Sequence, residues 1–425
     1  MKTSSIAFKA QPQNFINKQL TRLIKMQEGD SGMSASRFIQ DTTVNWFPKA
    51  IFSRSLADFS EMSLLEFSES ILVYFFPKLL GEKVFRKAYS RKLPANLKDL
   101  VSKTAPKILK DKKINPEDAK KLMAVKAAIS ISGLAIPIAE YSLNYVKNLF
   151  TLKMFRQADF NNIANLNQNK KEEDEKQKHV KKSAIKHLKI AAGIFGGCLA
   201  LSTLLVKGNP NSKIIKNISE AVLTPGNKIF RKDAKKAATF NKYFSLDFSD
   251  NKGVLGLSRG QLTSCVLAGA VGYLGAAKDR GKQNFLEVLF RYPLVGFYVV
   301  TGSELLEKGF KSILKKKGIF TEIFKKNSLE TYNLKALPKL AKNLASENHT
   351  TAEEMYKKLF KQKAIITGIP FLFSIGFMGL FVAGMSRKFT QYRYNKDMQK
   401  MKQNFNLNFG QKSLDEFKTQ VKTEV

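Results

Sequence analysis

Long uncharged apolar runs alternate along this chain with connections dense in lysine, and the lengths of those runs set the first expectation. Residues 364–386 hold 23 uncharged residues between Lys363 and Arg387. As a helix this is about 34 Å at about 1.5 Å per residue, enough to cross a hydrocarbon core of about 30 Å. Pro370 predicts a kink inside it. Residues 260–277 hold 18 uncharged residues between Arg259 and Lys278, and residues 190–206 hold 17 between Lys189 and Lys207. The latter spans about 26 Å, workable when flanking lysines reach to the headgroups. A fourth run, 127–139, has 13 residues before Glu140. Two further segments, 64–80 and 285–306, are apolar but carry Glu66, Glu69, Glu287, Arg291 and Glu304. A charge at the bilayer centre costs about 2.5 to 3.5 kcal/mol, so these two are expected to be buried against other helices, re-entrant, or in the interface. The pattern predicts an all-α, multi-pass helical membrane protein with four to six apolar helices.

The runs also come in matched pairs. Glu117, Lys120, Lys121, Leu122, Lys126, Ala127 and Ile129 recur 237 residues later as Glu354, Lys357, Lys358, Leu359, Lys363, Ala364 and Ile366. Asp58, Leu65 and Glu66 recur as Asp279, Leu286 and Glu287 at a shift of 221. Glu82-Lys83-x-Phe85-Arg86 recurs as Glu307-Lys308-x-Phe310-Lys311 at 225, and Ala105-Pro-Lys as Leu337-Pro-Lys at 232. The shift only grows along the chain, as a two-copy duplication with small insertions in the second copy predicts. The expected organisation is a polar arm over 1–40, copy A over 41–165, and a charged linker, apolar helix and polar connection over 166–259. Copy B follows over 260–400 and a polar tail over 401–425. Six crossings would make the copies parallel, and four would invert them. Loop charge does not decide between these, because 81–121, 307–363 and the tail are all lysine-rich. Uniformly basic loops argue against a simple zigzag, and shallow hairpins with every loop on one face fit the charges better.

Charge then suggests the neighbours. Lys plus Arg number 72 against 35 Asp plus Glu, a formal net charge of +37, although mean hydropathy is only −0.23. Such a balance asks for an anionic partner. Arginine is scarce among the basic residues, whereas nucleic-acid readers favour its planar fork. Lysine loops beside apolar runs point instead to anionic lipid headgroups. A peripheral anionic-lipid binder is the alternative reading, and a soluble helical nucleic-acid binder a weaker one. The N-terminus lacks the continuous apolar core of a cleaved signal, so the expected location is integral to a plasma or inner membrane, with the first span serving as signal. Cys198 and Cys265 sit in apolar runs as packing residues and imply no disulfide framework.

Chemistry is sparse. No phosphate-binding glycine loop, metal-ligand spacing or nucleophile elbow appears, and the reading is of a non-enzyme with no cofactor or metal. The polar residues of interest are the intramembrane charges Glu66, Glu140, Glu287 and Arg291. Glu287 and Arg291 stand one helical turn apart, close enough to neutralise each other. Gly193 and Gly197 form a GxxxG, and Ala268, Gly272 and Ala276 repeat every four residues; both are read as helix-packing stripes, equally able to serve a homo-oligomer. Trp46, two residues before Pro48, is an interfacial anchor or a packed core residue.

Overall fold

Residues 15–28, 46–167, 173–251 and 254–423 are described by a computed structural model. Helix α1 (Phe15–Gln27) and the short α2 (Phe47–Ile51) precede α3 (Leu56–Tyr74), which continues into a π-helical segment, Pro77–Arg86. Next come α4 (Pro116–Ser132), α5 (Ala135–Phe155) and α6 (Asp174–Lys207). The connection after them carries α7 (Lys213–Leu223) and α8 (Ala234–Phe244). The second half contains α9 (Arg259–Arg280), α10 (Lys282–Phe297) and α11 (Ser303–Lys316), then α12 (Leu337–Glu347), α13 (Ala352–Ser374) and α14 (Ala383–Thr423). Among the described residues the regular structure is helical, apart from a hairpin pairing Ser249–Asn251 with Val254–Gly256 and an isolated bridge between Phe324 and Thr331.

Local chemistry accounts for the helix boundaries. Ser55, Asn115 and Ser258 each accept a backbone N–H in the first turn of α3, α4 and α9. Thr351 and Glu354 close a reciprocal capping box at α13. These caps satisfy amides that would otherwise lack partners. Gly281, at φ +122°, makes the tight turn between α9 and α10, a backbone region L side chains rarely enter. Two prolines lie inside helices, Pro293 in α10 and Pro370 in α13. Each lacks an N–H and crowds the preceding turn. Five residues beyond each, the helix widens into a π-helical segment, Tyr298–Gly302 and Ile375–Val382.

Five helical stretches are long and apolar enough to cross a membrane: Pro116–Phe155, Asp174–Lys207, Arg259–Arg280, Lys282–Lys316 and Ala352–Phe405. They contain all four strong runs and also 285–306. Its partner 64–80 does not qualify, since α3 carries Asp58, Glu61, Glu66 and Glu69 on one helix.

Residue pairings fix the helix directions. Thr151 meets Glu61, and Leu72 packs with Ile136, so α3 runs antiparallel to α5. Asn148 donates to the Ala276 carbonyl while Gly272 touches Tyr141, which makes α9 parallel to α5. Tyr292 returns to the Val266 carbonyl, so α10 is antiparallel to α9. Tyr298 meets Ser374, Phe290 stacks near Phe389, and Lys282 reaches Asp397; α13 and α14 therefore run antiparallel to α10 and α11. Helix α6 is antiparallel to α4 and α5, with Ser202 on the Ala128 carbonyl and Gln177 on that of Arg156.

These directions put the connections 81–115, 208–258 and 317–351 at one end of the bundle. Three small cores form there. One gathers Phe85, Leu97, Ile108, Leu122 and Phe248, a second Ala105, Met123, Leu205, Ile215 and Leu223, and a third Leu314, Ile323, Leu337, Ala341 and Leu359. The opposite end carries 46–55, 156–167, the Gly281 turn and the start of the C-terminal helix.

Candidate functional site

Three polar features stand out within the helices. The first lies near the Gly281 end. Arg54 is bidentate on Glu287, at 2.9 and 3.2 Å, and also contacts Asp58 at 3.2 Å. Arg387 donates to the Lys49 carbonyl and lies 3.8 Å from Asp58. Arg280, fully buried, pairs with Glu61, which also accepts from Thr151. Of the residues singled out in sequence, Glu287 thus pairs with Arg54, while its helical neighbour Arg291 donates to the Tyr273 hydroxyl and lies 5.4 Å from the centre of that ring. Glu66 pairs with Lys49. Glu140 packs over Gly269 and faces Glu69. Arg54 and Arg280 were not singled out in sequence, because they sit outside the uncharged runs or at their ends.

The small-residue stripes separate clearly. Gly272 would set an added Cβ 2.6 Å from the Tyr141 carbonyl, and Ala276 is fully buried, so the α9 stripe is a close helix contact. Ala268 is half-buried beside it. Gly193 and Gly197 face outward, with nothing within 4 Å of an added Cβ. Trp46 packs on Phe59 and Phe67 and donates from Nε1 to Ser63 at 2.8 Å. Cys265 is buried and Cys198 half-buried, both as free thiols.

The second feature is a pair of buried lysines at the other end. Lys126 contacts Asp247 at 2.7 Å and donates to the Val101 carbonyl at 3.0 Å. Asp247 in turn accepts the Ala105 N–H at 2.7 Å. Lys363 contacts Glu28 at 3.1 Å and donates to Thr331 at 2.7 Å, while Glu28 accepts the Leu334 N–H at 2.9 Å. In each case a carboxylate ties a lysine of the long helix to backbone at or near the start of a short one, Ala105–Lys110 or α12. Sequence comparison aligned Lys126 with Lys363 without showing that both are buried.

The third feature is a cavity of about 1120 Å³ between α11 and α13, with Glu28 and Met26 closing one side. Tyr298, Val299 and Met378, from the two π-helical segments, border it together with Ile366, Pro370 and Phe371. Glu28, Glu304, Glu307 and Glu330 line its polar part with Arg259, Lys311 and Lys363. Arg259, Lys242 and Lys308 converge on Glu304, and Lys311 pairs with Glu307. A hydrogen bond from Lys325 holds Glu330 below the usual carboxylate range. In the first half of the chain Phe248 packs against Gly81 and Gly133, and Glu82, paired with Arg86, accepts the Leu255 N–H. Gly133 and Glu82 align with Pro370 and Glu307, both of which line the cavity.

Among the described residues, no cluster of three or more His, Cys, Asp or Glu side chains has the arrangement to hold a metal ion. Comparison with protein families, with curated proteins and with solved structures finds no match to this chain.

Proposed function

We propose that this chain is an integral membrane protein of two parallel, duplicated halves, acting as a membrane-organising scaffold with its lysine-rich end on an anionic, cytosolic bilayer face. The observation that carries this reading is the exposure of its apolar helices. Within the apolar windows of Asp174–Lys207, Lys282–Lys316 and Ala352–Phe405, only 17%, 22% and 22% of residues are buried in the protein. Leu267, Val271, Phe297, Leu372, Phe373 and Phe381 stand outward. An apolar surface of that extent calls for lipid. Pro116–Phe155, 78% buried in its window, is the central helix around which the others stand.

The charges support an orientation. Residues 81–121 carry 13 Lys or Arg against 5 Asp or Glu, 208–258 carry 9 against 4, and 317–351 carry 6 against 3. At the other end 46–55, 156–167, 278–282 and 387–402 together carry 12 against 3, fewer than half as many basic residues. The richer end belongs on the cytosolic side, where anionic lipid attracts each lysine by about 1 kcal/mol.

Support for duplication comes from the crossed lysine pairs. Glu28, which precedes the first half, holds the second half's Lys363; Asp247, which precedes most of the second half, holds the first half's Lys126. A shift of 219 relates the two carboxylates, continuing the sequence series downward. The π-helical segments beginning at Pro77 and Tyr298 are 221 apart, and the short helices beginning at Ala105 and Leu337 are 232 apart. Parallel helix directions in the two halves fit a repeat axis along the membrane normal.

A scaffold fits better than a transporter, because Arg54, Glu287, Glu61 and Arg280 are locked in pairs rather than spaced along a path. The test is extraction of membranes from cells expressing the tagged chain, first with high salt and then with alkaline carbonate. Retention in the pellet after both is expected. Release by either would overturn integral insertion and favour the peripheral lipid-binding alternative.

A further inference from the structure

We infer that the cavity between α11 and α13 binds one amphiphile whose head carries both an amine and a phosphate, a zwitterionic phospholipid taken from the surrounding bilayer. The inference rests on the membrane reading for the source of the lipid. At about 1120 Å³ the space exceeds the usual ~300–1,000 Å³ of small-molecule pockets, and it has distinct apolar and polar parts. Ile366, Phe371 and Met378 offer an apolar wall suited to an acyl chain.

The polar part selects the head. The lining offers both signs: four carboxylates stand with three cations, and Lys242, Lys308 and Lys325 reach Glu304 and Glu330 from beyond it. A zwitterion satisfies both, with its amine toward Glu304, Glu307 and Glu330 and its phosphate toward Arg259 and Lys311. Both π-helical segments of the second half border the space, and such widened turns recur at functional sites.

The first half supplies an internal comparison. Phe248 follows Asp247 directly and packs between Gly81 and Gly133. Among the described residues none fills the space beside Pro370 and Glu307 in this way.

The experiment uses the full chain, purified in detergent and stripped of lipid, with dihexanoyl phosphoethanolamine as a monomeric probe and native mass spectrometry as the readout. One molecule should bind per chain. Thr367→Trp, which projects an indole into the cavity, should weaken binding at least tenfold. Ile369→Trp, on the exposed face of the same helix, should leave it unchanged. Dihexanoyl phosphatidic acid, which lacks the amine, should bind at least tenfold more weakly. Equal binding by wild type and Thr367→Trp would overturn the site, and equal binding of the two probes would overturn the assignment of the head. Because the probe is monomeric and the protein purified, failure here is separable from release by carbonate.

Discussion

At the scale of single residues, Lys126 and Lys363, two of three lysines buried among the described residues, are positions where charge matters to stability. Burying an ammonium group is costly unless a carboxylate stands against it. Lys126 is 2% exposed, with Asp247 at 2.7 Å. Asp247→Asn keeps an acceptor for the Ala105 N–H but removes the charge, leaving Lys126 uncompensated. The expected cost is about 3 kcal/mol, in line with the ~3–5 kcal/mol of broken buried pairs. Adding Lys126→Met should restore a large part of it, which thermal unfolding of the two single variants and the double variant in detergent will show. Additive losses would mean that the pair is not coupled. The lysine itself was legible as a repeated letter. Its burial was not, because Asp247 and Glu28 lie outside the aligned segments and nothing local marks a carboxylate as the partner of a residue over a hundred positions away.

At the scale of helices, small residues matter only where another backbone lies against them. Gly272 meets the Tyr141 backbone, whereas Gly193 and Gly197 meet nothing within 4 Å. Gly272→Val should force α9 from α5 and destabilise the protein by about 1–3 kcal/mol, the range of overpacked cores. Gly193→Ala and Gly197→Ala should leave the unfolding temperature unchanged or slightly higher, since alanine favours helix. Both stripes looked alike in sequence, because spacing gives a helical face but not what covers it. A second helix-level contact is electrostatic. Glu322 accepts from Lys358 and Gln362 of α13, and the Lys358 hydrogen bond outweighs burial to hold its carboxyl below the usual range. A depressed carboxylate stabilises the fold above its unfolded value, near ~4.3, and that contribution is lost as pH falls through the folded value. Because the pair is partly exposed, the effect should stay under about 1 kcal/mol. Wild type should therefore lose slightly more stability than Glu322→Gln between about pH 6 and pH 3; identical profiles would remove Glu322 from the account.

Across the whole molecule, the apolar runs gave the helix lengths, while the lysine-rich connections gave no orientation until the chain was folded. The 127–139 run looked too short because Glu140 ended it. In the structure it belongs to the 40-residue stretch Pro116–Phe155, with Glu140 inside against Glu69. The 190–206 run, read as an apolar helix following a charged linker, belongs to a 34-residue helix whose polar N-terminal half packs on α5 through His187 and Tyr145. Periodicity cannot show such packing, because a charged helical face looks solvated until a partner's polar groups are known. The helix directions bring 81–115, 208–258 and 317–351 to one end of the bundle, so in a membrane all three would share one face. The direct measurement is labelling of single cysteines in intact and opened cells with a membrane-impermeant maleimide, on a background lacking Cys198 and Cys265. Cysteines replacing Lys112 and Lys326 should both react only after the membrane is opened, and one replacing Lys282 should react in intact cells. Lys112 and Lys326 reporting from opposite sides would contradict the parallel arrangement and the single basic face.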